Sequence, residues 1–187
     1  MNPPRSIWPL QHNACCRWES NGDRAHSRVG GEVSAPAPRD PAERRRDAMA
    51  ALEDSVDVWV ASASVDATGV ARPHLVPLSL AWIDDRVVVA VGADSRTARN
   101  LNAGGRARLA VGSTRDVVII DAVVEQVVPV AEAPVLADRY AARADWDPRH
   151  ADNTHTFFVL RPDRIQAWRE SNELTGRTLM RQGRWIV

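Results

Sequence analysis

The sequence predicts a mainly β domain over residues 40–187, a β-barrel decorated with helices. Three observations carry this expectation: a succession of β-branched-rich runs, their separation by Gly, Asp or Ser signals, and helices that punctuate the strands without alternating with them. Strict alternation would indicate a doubly wound parallel sheet. Its lack favours antiparallel strands closed into a barrel.

The elements follow in chain order. Residues 1–39 read as a disordered tail, because the first forty residues hold only four Ile, Leu or Val (Ile7, Leu10, Val29, Val33) against five of the twelve prolines. So little apolar burial does not offset chain entropy. The domain opens at Asp40, which can cap a helix with Pro41 in its first turn and Glu43 three residues on. Ala48, Met49, Leu52 and Val56 give that helix an apolar stripe. Five runs then read as strands: Val58–Val65, Pro73–Ile83, Arg86–Val91, Arg106–Val111 and Val117–Val128. In the last, Val118, Ile120, Ala122, Val124 and Val128 share one face, interrupted by Gln126, with Asp121 and Glu125 on the other. Twelve residues span roughly 40 Å, so this strand is expected to bend around a closed sheet.

A short helix is expected at Ser95–Asn102, ended by Gly104 and Gly105, and another at Ala131–Arg143 with Pro134 in its first turn. A further strand, Thr154–Arg161, leads to Ile165–Arg169 and to a C-terminal hairpin, Thr178–Val187, turning at Gln182 and Gly183.

Composition limits the partners. The chain has 187 residues and zero formal net charge, with 24 Arg and no Lys against 24 acids. A global positive field of the kind that binds nucleic acid or anionic membranes is therefore excluded, and any anion site must be local. Cys15 and Cys16 are adjacent in the tail, where they cannot staple the domain or supply a spaced metal site. No run of 18 apolar residues occurs, and Val117–Val128 is broken by Asp121 and Glu125, which predicts no membrane span. Arg5 is followed by Pro9, Gln11, His12 and Asn13 rather than an apolar signal region, so the expected location is cytoplasmic.

Two constellations could carry chemistry. In SRTARNL, Ser95 to Leu101, Ser95 can cap a helix while Arg96, Thr97 and the free first-turn N–H groups gather donors at its positive end. One phosphomonoester would fit there; a capped surface helix with solvated arginines fits the same residues. The second cluster runs from Trp168 to Trp185 and interleaves two Trp with Arg169, Arg177, Arg181 and Arg184. That pattern suits a flat aromatic ligand beside an anion, a wet subunit interface, or two Trp plugging a barrel end. Pro73 and Pro77 mark their strand as an edge or a bulge with backbone groups free for a ligand. His74 and Ser79 lie on it without a base and acid to activate Ser79, so they read as a sheet-surface histidine and a packing residue. His150, Asp152 and His155 fall in a polar stretch read as solvated rather than metal-binding.

Taken in order, ARPHLVPLSLAWIDD, SRTARNL, RARLAVG, DVVIIDAVVE, AWRE and GRTLMRQGRW resemble the pyridoxamine 5'-phosphate oxidase-like family of FMN-binding split β-barrels, from Asp40 to Val187. The resemblance implies a homodimer with FMN in a groove between subunits, and a flavin-dependent oxidoreductase acting on a small conjugated substrate. It implies that Arg96 and Thr97, opened by Ser95, hold the flavin phosphate, and that Val76, Pro77, Leu78 and Ser79 run beside the ring. Trp168 and Arg177 match positions that reach the flavin from the C-terminal part of the fold, and Asp116 falls near a further contact. No catalytic side chain or metal ligand is implied. Thr97 stands where the oxidase itself carries Lys, and Arg177 is followed by Thr178 and Leu179 rather than the Arg-x-His pair that grips pyridoxal phosphate. Related branches use the deazaflavin coenzyme F-420 to reduce quinones, tetrapyrroles or other conjugated acceptors, and a flavin-binding module without turnover is the third reading.

Overall fold

Residues 36–151 and 154–187 are described by a computed structural model; residues 1–35 of the expected tail, and with them both cysteines, lie outside the described residues, as does Asp152. Helix α1 spans Pro41–Asp54, and Asp40 caps it by accepting from the Glu43 N–H at 2.8 Å. Strands β1 (Asp57–Val65), β2 (Ala71–Ser79), β3 (Ala81–Ile83) and β4 (Arg86–Gly92) follow. Helix α2 (Arg96–Gly104), β5 (Arg106–Ser113), β6 (Asp116–Pro129), helix α3 (Pro134–Ala141) and β7 (His155–Trp168) come next. The hairpin β8 (Thr178–Arg181) and β9 (Arg184–Trp185) closes the order, turning through Gln182 and Gly183 at positive φ as the strand twist requires.

All pairings are antiparallel, in the sheet order β2-β1-β5-β6-β7-β4-β3, with β8 on β7. β2 and β3 are separated by Leu80 alone, so the run expected as one strand is bent there: its first part pairs with β1 and its second with β4. That bend closes the sheet on itself. Closure is incomplete where β2 passes the end of β4, because the two approach without pairing. The barrel is split along this line.

Side-chain alternation sorts the interior. Val87, Val89, Ile120, Phe158, Leu160 and Ile165 fill the barrel beneath α1 and α2, while Val88, Ala90, Tyr140 and Phe157 form a second cluster under α3. Burying each such aliphatic or aromatic side chain stabilises the fold by about 2 kcal/mol. β6 and β7 therefore carry apolar residues on both faces where α3 covers them, and register shifts at Asp121/Ala122 and Val124/Gln126 let the strands bend. The second shift leaves Glu125 as the extra residue and moves Val128 into the α3 cluster, away from the face of Val118 and Ile120 on which the alternation had placed it.

Three boundaries also differ from expectation. The segment before α3 is a separate 3-10 turn, Val130–Glu132, because Ala133 precedes a proline and takes φ −128° rather than a helical value. Thr154–Arg161 and Ile165–Arg169 form one strand, β7, in which Pro162 sits at a bulge. Finally, Arg39, placed in the tail by composition, is 6% exposed and ion-paired to Glu173, itself 2% exposed.

That pair anchors a network. Arg39 donates from its backbone N and Nε to Glu173 Oε1 at 2.9 and 3.0 Å and from Nη2 to Oε2 at 2.7 Å, and it reaches Asp47 on α1 and Asp116 on β6. Arg169 joins from its backbone N to Glu173 Oε2 at 2.8 Å and from its side chain to Asp116 and Asp47. Three separate stretches of chain, residues 39–47, the start of β6 and residues 169–173, are thereby tied together. The guanidinium of Arg39 and the N–H donors lower the Glu173 pKa to about 2.

A depressed carboxylate pKa contributes stability that is complete above the ordinary value and lost as pH falls toward the folded one. Glu173→Gln is expected to cost roughly 3 kcal/mol near neutrality and to abolish the part of the acid unfolding profile between about pH 5 and pH 2 that this group contributes; a parallel profile in the two proteins would contradict this. Gly112, at φ +87°, lies where an added Cβ would stand 2.3 Å from the Asp116 carbonyl oxygen. Gly112→Ala should lower stability by at least about 2 kcal/mol in denaturant titration.

Candidate functional site

The split between β2 and β4 is a cleft of about 660 Å³ floored by the start of α2. β2 brings alternate residues to it: His74, Val76 and Leu78 are half-buried, whereas Leu75 is exposed and absent from the lining. Its second wall is the end of β4, Ala90–Gly92, with Trp146 and His155 at the rim. Trp146 packs edge-on against His155 (5.2 Å between centroids) and Tyr140 (6.4 Å). Tyr140, fully buried, donates its hydroxyl to the Ser79 carbonyl at 3.0 Å and so fixes the end of β2. Burial pushes this phenol well above its ordinary pKa, which keeps it a donor.

The floor is built by capping. Ser95 Oγ accepts from the Ala98 N–H at 3.0 Å, leaving the earlier first-turn N–H groups without a side-chain partner among the described residues, and no acid occupies that turn. Arg96 is exposed and makes no ion pair or hydrogen bond among the described residues. Thr97, 4% exposed, shares a 3.2 Å hydrogen bond with His74 Nε2, and Asn100 donates to Ser62 Oγ at 3.1 Å, which locks α2 onto β1 and β2. The buried face Thr97, Ala98, Asn100 and Leu101 leaves Arg96 and the helix N-terminus directed outward. A positive end with unpaired donors beside apolar strand walls can hold a phosphate and, against β2, a flat ring.

Of the residues singled out in the sequence, Val76, Pro77, Leu78, Ser79, Ser95, Arg96 and Thr97 all line this cleft. Trp168 and Arg177 do not: they lie at the opposite end of β7, with the Arg177 guanidinium 5.2 Å above the Trp168 ring. Asp116 is engaged in the Arg39 network. Trp185 caps the barrel core with Arg45 stacked on it at 4.7 Å. His74, read from the sequence as a sheet-surface histidine, and His155, read as solvated, also line the cleft, as do Trp146 and the end of β4, which the sequence had not singled out. The signal for His74 was its parity with Val76 and Leu78; Trp146 and His155 carried none, because they belong to a loop and a strand end brought in by α3. Among the described residues no group of three His, Cys, Asp or Glu is placed to hold a metal, and no helix is long and apolar enough to cross a membrane.

Ser95→Ala should cost about 1 kcal/mol of stability, the worth of a lost N-cap. A denaturant midpoint identical to that of the parent protein would show that α2 is held by Asn100 and Leu101 alone.

Comparison with known proteins places this geometry. No curated protein matches the chain. Among solved structures, an F-420 reductase matches at TM-score 0.50 and 18% identity, covering 62% of this chain and 93% of that one. The conserved protein Rv2991 of Mycobacterium tuberculosis matches at TM-score 0.52 and 18% identity, over 68% and 85% of the two chains. A heme binding protein of Mycobacterium smegmatis matches at TM-score 0.51 and 20% identity, over 78% and 59%. At such identities the likeness is one of fold. The family profile of pyridoxamine 5'-phosphate oxidase matches residues 25–169, most of the chain, with β8, β9 and Arg177 beyond it. By that match and by its split barrel, the chain belongs to the pyridoxamine 5'-phosphate oxidase family, a family of flavin-binding, oxidoreductase-like proteins.

Proposed function

We propose that the protein is an FMN-dependent oxidoreductase acting on a small conjugated substrate. The observation that carries this reading is the cleft itself: first-turn N–H donors that the Ser95 cap leaves open and an Arg96 without a partner among the described residues at one end, and apolar strand walls at the other. These residues fit a singly phosphorylated, tricyclic cofactor. Arg96 and the first-turn N–H groups would hold its phosphate, Ser95 would keep that turn helical, and Val76–Ser79 would lie along the ring. His74 would orient the Thr97 hydroxyl from the side. When bound, the flavin supplies hydride or paired one-electron transfer, and the chain supplies position, charge and exclusion of water. No side-chain nucleophile is required.

A homodimer belongs to this reading. Trp168 and Arg177 stand away from the cleft of their own chain, so their contribution to a flavin site requires a second copy. The outer face of β1 and β2 exposes Trp59 (50%) and Leu75 (58%), apolar area suited to such a contact. A monomer in analytical ultracentrifugation would overturn this part of the reading.

A second reading, a reductase using the deazaflavin coenzyme F-420, is favoured by Thr97 at the position of the oxidase lysine and by the structural likeness to an F-420 reductase. The visible absorption spectrum separates the two, and a colourless protein binding neither cofactor would contradict both. Arg96→Ala is expected to weaken binding of whichever cofactor is taken about ten- to a hundredfold, the loss of one charge-assisted phosphate contact. Fluorescence titration measures it; unchanged affinity would show that the phosphate lies elsewhere.

A further inference from the structure

The split between β2 and β4 begins where a ladder of hydrogen bonds stops. β3 pairs with β4 at Ala81 and Val88, and the same register carried past Leu80 sets Ser79 opposite Ala90. The backbone on both sides is oriented for that pairing. On β4, the Ala93 N–H reaches the Thr154 carbonyl at 3.0 Å, so by alternation Val89 and Val91 bond to β7 while Val88 and Ala90 turn their peptide groups toward β3 and β2. On β2, the Leu80 N–H reaches the Val56 carbonyl at 2.7 Å, so Leu78 bonds to β1 and Ser79 turns its N–H and C=O away from it. Ser79 and Ala90 both line the cleft, and among the described residues they do not pair.

A side chain stands where the rung is missing. Tyr140 of α3 donates its hydroxyl to the Ser79 carbonyl at 3.0 Å, and the Ala90 N–H faces the same oxygen from β4. A phenol oxygen in series between a donor and an acceptor spans about 5 Å, where a direct rung spans about 3 Å. The two walls are thereby kept apart by one oxygen atom. From its other side the phenol is held by packing: it is fully buried, with its ring 5.2 Å from that of Phe157 and 6.4 Å from that of Trp146. Its backbone carbonyl accepts from the Arg143 and Ala144 N–H groups at 3.0 and 2.9 Å, which fixes the end of α3.

We infer that Tyr140 is a positioning residue: its hydroxyl replaces the first absent rung between β2 and β4 and sets the width of the cleft at the Ser79 end, five residues along β2 from His74. The placement of α3 thus governs how far the two walls stand apart. The effect on a ring in the cleft rests on the flavin reading; the bridge between the strands does not.

Tyr140→Phe removes the oxygen and keeps the ring. Amide exchange followed by NMR in the ligand-free protein is expected to quicken at least about tenfold at Ala90 relative to Val89 and Val91, whose bonds run to β7. A general loosening quickens all three together; that result, or an unchanged Ala90, overturns the bridge. Riboflavin and FMN are both expected to bind about five- to tenfold more weakly to the variant, because both carry the ring. Arg96→Ala should weaken FMN alone, since riboflavin has no phosphate. Undiminished affinity of Tyr140→Phe for both flavins overturns the positioning role, whereas a parent protein that binds neither refutes the flavin reading and leaves the exchange rates to decide the bridge. Tyr140 is the only tyrosine of the chain, so incorporating 3-fluorotyrosine labels the bridge alone without deleting it. Should Tyr140→Phe fail to fold, a fluorine resonance that moves on adding riboflavin supports the role, and one that stays fixed at saturation overturns it.

Discussion

The cleft exists because β2 and β3 are one extended run that pairs with two different neighbours. Bent at Leu80, whose N–H is held by the Val56 carbonyl at 2.7 Å, the run joins β1 on one side and β4 on the other, so the sheet closes around the core without a continuous ladder. Pro73 and Pro77 have the same parity and remove two donors from one side of β2, and among the described residues β2 pairs with β1 alone. A strand so depleted ends a sheet, and the seam it leaves toward β4 is the wall of the candidate site.

Everything else at the site is arranged against that seam. Tyr140 holds the end of β2 through the Ser79 carbonyl, His74 holds α2 through Thr97, and Asn100 holds α2 to β1. Unlike these polar contacts, which are each worth about 1 kcal/mol, the core beneath them supplies the stability that permits the first-turn N–H groups ahead of Ala98 to stay unfilled by side chains of the described residues. At the other end, the Arg39–Glu173 network ties the segment between β7 and β8 to the start of α1 and to β6.

The strands, the capped helices and the hairpin at Gln182 and Gly183 could be read from the sequence, because period, capping residues and turn glycines are local signals. So could the Ser95–Thr97 and Val76–Ser79 halves of the cleft, which carry the cap and the prolines. Features that depend on partners distant in sequence could not. Arg39 looked like tail because its stabilising partner, Glu173, is 134 residues away. Pro162 looked like a strand break because the bulge that admits it is a property of the β6–β7 register. His155 looked solvated, and Trp146 gave no signal, because packing against Tyr140 of α3 is what brings them to the rim. Trp168 and Arg177, grouped with the cleft by resemblance, stand apart from it within one chain, a separation that linear spacing does not encode.

The central claim is that a phosphate rests on the first turn of α2 while a ring lies along β2. A crystal structure of the protein soaked with FMN tests it most directly. The account predicts phosphate density within hydrogen-bond distance of the first-turn N–H groups of α2 and the Arg96 guanidinium, with the isoalloxazine against Val76–Ser79. Flavin density seated elsewhere, with that helix end still solvated, would contradict it.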